Sequence, residues 1–172
     1  LLIQADPTVG WGDQLGQTML SADVTGSGTD DLVIAAPQAN GGGLVYIIDG
    51  AWIEDNLTTA NGATTLNLAN PDDLGDYVLV LTPDVAENSD GEPNSNDQAS
   101  VAGFGSSLAF DTSTSTLWIG APNYLRQLKP SDPSFASEQS IGALYSFNAL
   151  DDTTNWSSAA PKPLTPQKVW SS

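Results

Sequence analysis

The stretch with the clearest chemical potential is a polar loop between two apolar runs. Five residues at alternating positions of this loop carry oxygen, and two glycines between them allow tight turns: Asp23, Thr25, Ser27, Thr29 and Asp31, with Gly26 and Gly28. A ligand set made only of oxygen suits a hard cation. The same residues can also form a hydrogen-bonded Asx-type turn without any ion. Both interpretations stay open at this point.

Catalytic chemistry is limited by the residues that the chain lacks. It contains no histidine and no cysteine, so a Ser-His-Asp triad, a histidine general base and a thiolate zinc site cannot be completed on it. The adjacent carboxylates at Asp30 and Asp31, and at Asp72 and Asp73, diverge along the backbone. Nothing fixes the separation that glycoside hydrolysis requires between two carboxylates. The sequence therefore predicts no catalytic residues on this chain.

Charge and hydropathy argue against nucleic acid as a partner and against a membrane span. Four Lys and Arg against 21 Asp and Glu give a formal net charge of −17 at pH 7. The resulting field repels phosphate backbones and anionic lipid surfaces. No apolar run reaches the roughly 18 residues that a membrane span needs. We therefore expect neither nucleic acid nor a membrane span.

The apolar runs beside the polar loop have the pattern of buried strands. Leu32 to Ala36 shows no polar alternation and stops at Pro37, and Leu44 to Ile48 follows three glycines. Between Trp11 and Leu20 a strand is favoured over a helix, because the glycines there oppose helix formation. Further strands are predicted at Leu1 to Ala5, Thr64 to Leu68 and Tyr77 to Thr82.

The later part of the chain repeats this scheme after a polar insert. The insert, from Pro83 to Ser100, is predicted to be a solvated loop. Strands follow at Phe104 to Phe110, at Leu117 to Ala121, which again stops at a proline, and at Gly142 to Phe147. Only a short turn separates the first two of these strands. The second copy therefore has no counterpart of the acidic loop.

The duplicated pattern resembles the FG-GAP repeat, the blade motif of integrin-α-type β-propellers. The first copy comprises Trp11-Gly12, the loop from Asp23 to Leu32 and Ala35-Ala36-Pro37, and the second comprises Phe104-Gly105 and Gly120-Ala121-Pro122. With this alignment, Trp11 to Pro37 spans 26 positions and Phe104 to Pro122 spans 18, so the second copy is eight residues shorter. Over about residues 1 to 150 the pattern is most similar to the C-terminal propeller of the glycosylphosphatidylinositol-specific phospholipase D family.

The resemblance implies an all-β fold of about two four-stranded antiparallel blades from a larger, seven-bladed propeller. Residues 1–100 would hold the first blade with its preceding strand and the acidic insert. Residues 101–172 would hold the second blade and the C-terminal tail. Two blades cannot close a ring, so each end is expected to expose an apolar face. Another chain or segment would cover these faces and complete the propeller.

The resemblance also implies a calcium site in the polar loop. Asp23 and Asp31 would be carboxylate ligands, Thr25 and Ser27 would bind through their hydroxyls or a water, and Thr29 through its backbone carbonyl. The family usually has Asn or Asp at the positions of Thr25 and Ser27. The smaller charge of this loop therefore predicts a reduced affinity for calcium.

Two N-glycosylation acceptor patterns occur at matched positions, Asn56-Leu57-Thr58 and Asn155-Trp156-Ser157. Each asparagine lies ten residues after a tyrosine of a predicted strand, Tyr46 or Tyr145. Together they predict a secreted, extracellular glycoprotein with glycans in the loops that follow these strands.

Two functions from different classes follow from the resemblance. The first is a non-catalytic section, structural or ligand-binding, of a secreted phospholipase D-like hydrolase. Its zinc would lie on a separate catalytic domain with histidine ligands, outside this chain, and a glycolipid-anchored protein would be the substrate of the parent. The second is an extracellular, integrin-α-like adhesive or ligand-binding propeller without enzymatic activity. A histidine-rich α-helical domain in the precursor would favour the first.

Overall fold

The computed structural model describes residues 1–5, 12–39, 42–58, 64–68, 74–83, 103–123, 125–126, 139–140, 142–148 and 168–170. Within them the chain forms twelve strands and one helix. Their bounds are β1 (Leu2–Gln4), β2 (Thr18–Ala22), β3 (Asp31–Ala36), β4 (Leu44–Ile48), α1 (Gly50–Thr58), β5 (Thr65–Asn67), β6 (Val78–Leu81), β7 (Ser107–Asp111), β8 (Thr116–Ala121), β9 (Leu125–Arg126), β10 (Gln139–Ser140), β11 (Ala143–Asn148) and β12 (Lys168–Trp170).

Eight of these strands form two four-stranded sheets that follow the order of the chain. The first sheet has the order β2-β3-β4-β6 and the second has the order β7-β8-β11-β12. All neighbouring strands in both sheets are antiparallel. The prediction of an all-β fold with antiparallel sheets is confirmed. The first strand of each sheet is shorter than predicted, because a tight turn precedes it: Gln17 N–H donates to the Gln14 carbonyl and Ser106 N–H donates to the Gly103 carbonyl, both at 3.0 Å.

Two elements depart from the predicted architecture. Helix α1 occupies residues where the sequence predicted a loop after a strand, and β1 pairs with β5 in a parallel register. Asp49 caps the helix, because its carboxylate Oδ1 accepts the N–H of Trp52 at 2.7 Å. Among the described residues, no helix is both long enough and apolar enough to cross a membrane.

Alternation of side chains gives each four-stranded sheet two faces. On the first sheet we call the face with Ile34 and Tyr46 the front face and the opposite face, with Ala35 and Val45, the back face. On the second sheet the front face is the one with Ile119 and Tyr145. These two residues pair across neighbouring strands as Ile34 and Tyr46 do in the first sheet. A single apolar core joins the back face of the first sheet to the front face of the second: Val33, Ala35, Val45, Ile47, Leu79 and Leu81 pack against Leu117, Ile119, Ala121, Tyr145 and Phe147.

Phe104 lies at the centre of this core. Its side chain is fully buried, and its ring meets those of Tyr145 and Phe147 edge to face, at centroid distances of 5.1 and 6.3 Å. Its backbone N–H donates to the carbonyl of Gly42, in the turn between β3 and β4, at 2.9 Å. Phe104, which precedes the second sheet, therefore contacts the first four-stranded unit in two ways: its side chain packs in the shared core, and its backbone donates a hydrogen bond.

Hydrogen bonds and register identify which residues of the first copy correspond to Phe104-Gly105. Gly105 N–H donates to the Gly120 carbonyl at 3.1 Å, and Gly16 N–H donates to the Ala35 carbonyl at 2.9 Å. Both glycines have a positive φ, 93° and 85°. Leu15-Gly16 is thus the counterpart, and the predicted alignment with Trp11-Gly12 is wrong. The turns between the first two strands are residues 23–30 and 112–115, so the copies differ there by four residues instead of eight.

The front face of the first sheet is covered, contrary to the prediction that this end exposes an apolar face. The chain itself supplies the cover, and Trp52 of the helix stacks on Tyr77 with ring centroids 4.3 Å apart. The covering side chains are Ile3, Leu15, Trp52, Ile53, Leu66, Leu68, Leu74 and Tyr77. The cover does not reach the first strand, where Met19 remains 61% exposed. Of the predicted polar insert, only Pro83 belongs to the described residues.

Candidate metal-binding loop

Asp31, at the start of β3, holds the loop between β2 and β3 in place through hydrogen bonds to its side chain. Its side chain is fully buried, at 0% exposure. Oδ2 accepts the N–H groups of Val24 and Thr25, at 3.1 and 3.0 Å, and Oδ1 accepts the N–H of Gly50 at 3.0 Å. A carboxylate offers about four lone-pair sites. Asp31 therefore serves first as an acceptor for the backbone and retains one acceptor site, on Oδ1.

The electrostatic environment of Asp31 contains opposing contributions. Burial raises the pKa of its carboxyl above the usual value, while the backbone N–H groups of Gly50 and Thr25 lower it. Gly50 is the first residue of α1, so the N-terminal end of the helix meets the carboxylate through the Gly50 N–H and favours its charged form. A side chain at Gly50 would collide with the Asp30 carbonyl. The loop and the helix start are thus packed directly against each other.

The inner half of the loop contains two oxygen atoms without hydrogen bonds. Asp23 accepts the N–H of Gly28 at 3.0 Å through Oδ2, but its Oδ1 is buried and has no partner among the described residues. The hydroxyl of Thr25, a residue only 5% exposed, is likewise buried without a hydrogen bond. It lies near enough to Asp31 to lower the pKa of that carboxyl, though outside hydrogen-bond geometry. A buried acceptor without a partner costs about 1–3 kcal/mol.

The outer half of the loop satisfies its own polar groups. The hydroxyl of Ser27 donates to the Thr29 carbonyl and accepts the Thr29 N–H, both at 3.3 Å. Ser27 is exposed, and its bond occupies the carbonyl that was predicted to be a ligand. The five predicted residues therefore lie in one loop but divide into an inner set, Asp23, Thr25 and Asp31, and an outer pair. Within the described parts of the chain, no three His, Cys, Asp or Glu side chains converge as a metal-binding group.

The corresponding turn of the second sheet, between β7 and β8, differs from this loop because both carboxylate oxygens of its aspartate accept hydrogen bonds. Asp111 Oδ1 accepts the N–H and the hydroxyl of Ser113, at 2.9 and 2.6 Å, and Oδ2 accepts the Thr114 hydroxyl at 2.9 Å. The Ser113 and Thr114 hydroxyls lower the pKa of this exposed carboxyl. Thr116 stands where the first copy has Asp31, since each begins the second strand of its sheet. This turn is an Asx-type turn, and the two copies differ in the chemistry that they can support.

The predicted glycosylation sites have different outcomes. Asn56 lies in helix α1 rather than in a loop, and its Nδ2 donates to the Trp52 carbonyl at 2.8 Å. The helix was missed because Gly50 has a low helix propensity, although Asp49 is a recognisable N-cap residue. Asn155 lies outside the described residues. The amide nitrogen of Asn56 carries two hydrogens, so the bond to Trp52 leaves one for replacement by a sugar.

Comparison with known proteins adds no assignment. No family model matches the chain, and no curated protein is found to be similar to it. The loop is therefore interpreted from its own geometry.

Proposed function

We propose that this chain is a non-catalytic section of an extracellular β-propeller, with the two four-stranded sheets as successive blades. The observation that supports the proposal is the packing of the front face of the second sheet on the back face of the first. Such an interface joins two different surfaces, so the same step can be repeated. Repeated steps of this kind give a closed ring or an open stack.

The approach of the first strands favours the ring. Of the described strands, β2 of the first sheet and β7 of the second approach each other with their backbones. The hydroxyl of Thr18 on β2 donates to the carbonyl of Ser106, which directly precedes β7, at 3.2 Å. Sheets that adjoin at their first strands and diverge beyond them form wedges around an axis. A propeller places its blades in this way, with the first strands nearest the centre.

The structure of the intact parent protein tests this proposal. We expect that the rotation from the first sheet to the second, applied again, places the remaining sheets around one axis. The proposal fails if the parent contains a two-sheet sandwich that is complete within these residues, or a stack of sheets without a common axis.

We also propose that the loop from Asp23 to Asp31 binds calcium. Support comes from the inner half of the loop, where Asp23 Oδ1, the Thr25 hydroxyl and the last acceptor site of Asp31 remain without partners. Calcium would add positive charge beside two carboxylates and satisfy buried oxygens. The role of these residues would be structural, because they connect the first hairpin to the start of α1. Removal of calcium should therefore lower stability rather than abolish a reaction.

For the parent we propose a phospholipase D-like hydrolase whose zinc-dependent catalytic domain lies outside this chain. The support is the residue pattern of the two copies, together with the lack of histidine, which assigns any histidine-bound zinc elsewhere. The test is release of a glycosylphosphatidylinositol-anchored protein by the intact parent and by residues 1–172 alone. We expect release by the parent only, and loss of release with a zinc chelator. A parent that binds a ligand but releases no anchored protein would favour the adhesive propeller.

A further inference from the structure

The junction between β4 and α1 contains a pair of residues that can rearrange spontaneously, Asp49-Gly50. An aspartate followed by glycine can close a five-membered succinimide ring, because glycine has no side chain to shield its backbone nitrogen. The sequence holds one further pair of this kind, Asp90-Gly91, which lies outside the described residues. The reacting atoms of Asp49-Gly50 lie within them.

The rearrangement joins the Gly50 nitrogen to the side chain of Asp49. The nitrogen loses its proton and attacks Cγ of the protonated carboxyl, the N–Cγ bond forms, the Cγ–OH bond breaks and one water leaves. Water then adds to either ring carbonyl. Addition at the main-chain carbonyl gives isoaspartate, in which the main chain runs through Cγ and is longer by one methylene group.

The Gly50 nitrogen is engaged in a buried hydrogen bond. Its N–H donates to Oδ1 of Asp31 at 3.0 Å, and the Asp31 side chain is fully buried. Before the nitrogen can attack, it has to leave this acceptor, and the carboxylate oxygen then loses its donor in a place that water does not reach. Asp31 therefore opposes the first step of ring closure.

The carboxyl of Asp49 is fixed by its role as the cap of α1. Its Oδ1 accepts the Trp52 N–H at 2.7 Å. The backbone of Asp49 is held as well, since its N–H donates to the Tyr77 carbonyl at 2.9 Å and its carbonyl accepts the Ile53 N–H at 3.1 Å. Movement of Cγ toward the Gly50 nitrogen therefore has to break the cap or turn the backbone against these bonds.

Neither residue of the pair can be exchanged without a loss elsewhere. A Cβ added to Gly50 would collide with the Asp30 carbonyl, and a residue without a side-chain acceptor at position 49 would leave the Trp52 N–H uncapped. The reactive pair is thus required by the same packing that restrains it.

We propose that Asp49-Gly50 is a modification site whose rearrangement to isoaspartate is held back by Asp31, and that opening of the loop between β2 and β3 starts the reaction. In the product, Cγ of Asp49 belongs to the main chain, so the side-chain cap at Trp52 is lost. A reversible opening of the loop thereby becomes a permanent change at the start of α1. The proposal requires neither calcium nor a propeller.

The test measures isoaspartate formation at Asp49-Gly50 in residues 1–172 during ageing at neutral pH, by peptide mapping. Wild type and Asp31→Asn are compared under native conditions, and the wild type in concentrated urea gives the rate of the unfolded chain. Asp90-Gly91 in the same urea sample checks that the conditions permit the reaction. Asp30→Asn is the matched control for the charge, since Asp30 is exposed and adjoins Asp31.

A second control separates opening of the loop from unfolding of the whole chain. Gly105 lies in the turn before β7, the leading turn of the second sheet, where an added Cβ would be 2.7 Å from the Ala35 Cβ. Gly105→Ala therefore destabilises the chain by overpacking, without touching Asp31 or Gly50. It shows how much isoaspartate a general loss of stability produces.

The native rate at Asp49-Gly50 in the wild type should be at least about tenfold below the rate in concentrated urea. Asp31→Asn should raise the native rate by at least about tenfold, as expected from the loss of one hydrogen bond to a charged group. Asp30→Asn should leave it unchanged. Equal native and urea rates in the wild type would overturn the proposal, and so would an unchanged rate in Asp31→Asn or an equal rise in Gly105→Ala.

A further measurement uses the wild type alone and so does not depend on the folding of a variant. The rate at Asp49-Gly50 is followed in urea below the unfolding transition. Opening of one loop exposes less surface than unfolding of the chain, so the rate should rise less steeply with urea than the unfolded fraction does. A rate that follows the unfolded fraction would overturn the proposal.

Discussion

The carboxylate of Asp31 accepts the backbone N–H of Gly50 at 3.0 Å and thereby joins the first hairpin loop to the start of helix α1. The same carboxylate holds the N–H groups of Val24 and Thr25, so three backbone donors depend on one buried side chain. A hairpin and a helix that are separated in the chain are thus fixed relative to each other. These three hydrogen bonds give Asp31 a structural role of its own, beside the one proposed for it in calcium binding.

We predict that Asp31→Asn lowers the free energy of unfolding by about 3 kcal/mol, because the amide removes the charge and directs a donor at backbone N–H groups that then lack a partner. The loss should already be present in chelator and should be larger in calcium, because the variant also weakens the proposed ion site; urea unfolding in both buffers measures it. Asp30→Asn is the matched control, since Asp30 is exposed and its contact with the Ser21 hydroxyl is 3.4 Å long. A loss confined to calcium-containing buffer would show that Asp31 acts mainly as an ion ligand.

Calcium binding is tested better at Thr25 than at Asp31. Thr25→Val keeps the shape of the side chain and removes a buried hydroxyl that makes no hydrogen bond. In chelator this variant should be as stable as the wild type, or slightly more stable. The wild type should gain about 2.7 kcal/mol at a calcium concentration of 100 times Kd, and Thr25→Val should gain clearly less.

The control for this calcium experiment lies in the second sheet. Asp111→Asn changes a carboxylate whose oxygens are already engaged by Ser113 and Thr114. Its calcium-dependent gain should equal that of the wild type. Equal gains in all three proteins would place the ion elsewhere, and no gain in any of them would leave the loop as an Asx-type turn.

The strands were predictable because their signals are local. Leu32 to Ala36 and Leu117 to Ala121 are apolar on both faces and stop at prolines, so pattern and punctuation agree. The leading turn was misplaced because both Trp11-Gly12 and Leu15-Gly16 match an aromatic or leucine followed by glycine. The backbone hydrogen bond from Gly16 to Ala35 and the positive φ of Gly16 identify the second as the counterpart of Phe104-Gly105.

The candidate loop was predictable in position but not in its division of roles. Spacing placed Asp31 in the loop, yet the N–H group of Gly50 that it holds lies 19 positions away in a helix that was not predicted. The cover on the front face of the first sheet could not be predicted for the same reason, since it too depends on contacts between residues far apart in the chain. Leu66 and Trp52 reach that face through tertiary contacts, which the periodicity of a short segment does not encode.

Glycosylation gives a third prediction. If the chain is made by a secreting eukaryotic host, its mass should fall on treatment with an N-glycosidase, and Asn56→Gln should remove part of that change. The Asn56 amide retains one hydrogen after attachment of a sugar, so the bond to the Trp52 carbonyl can persist and helix α1 should stay intact by circular dichroism. An unchanged mass would contradict both the glycan and the extracellular location that the acceptor patterns predict.

Gly16 and Gly105 allow the contact between the two sheets to be measured, because they are equivalent positions with different neighbours. Both have a positive φ, so replacement by alanine strains the backbone by about 1–2 kcal/mol at either site. At Gly16 an added Cβ would meet only the Ile34 Cδ1, at 3.9 Å, which is an ordinary contact. At Gly105 it would be 2.7 Å from the Ala35 Cβ and would force the sheets apart.

Gly16→Ala should therefore lower the free energy of unfolding by about 1–2 kcal/mol, and Gly105→Ala by about 3–5 kcal/mol, since overpacking adds about 1–3 kcal/mol to the strain. Urea unfolding of the two variants measures the difference directly. The double variant Gly105→Ala with Ala35→Gly provides the control, because it removes the closer of the two colliding methyl groups and leaves the Val45 Cγ2 at 2.9 Å, so it should recover part of the additional loss. Equal losses for the two single variants would mean that the leading turn of the second sheet does not press on the first, and the front-to-back contact would then lack the close fit described above.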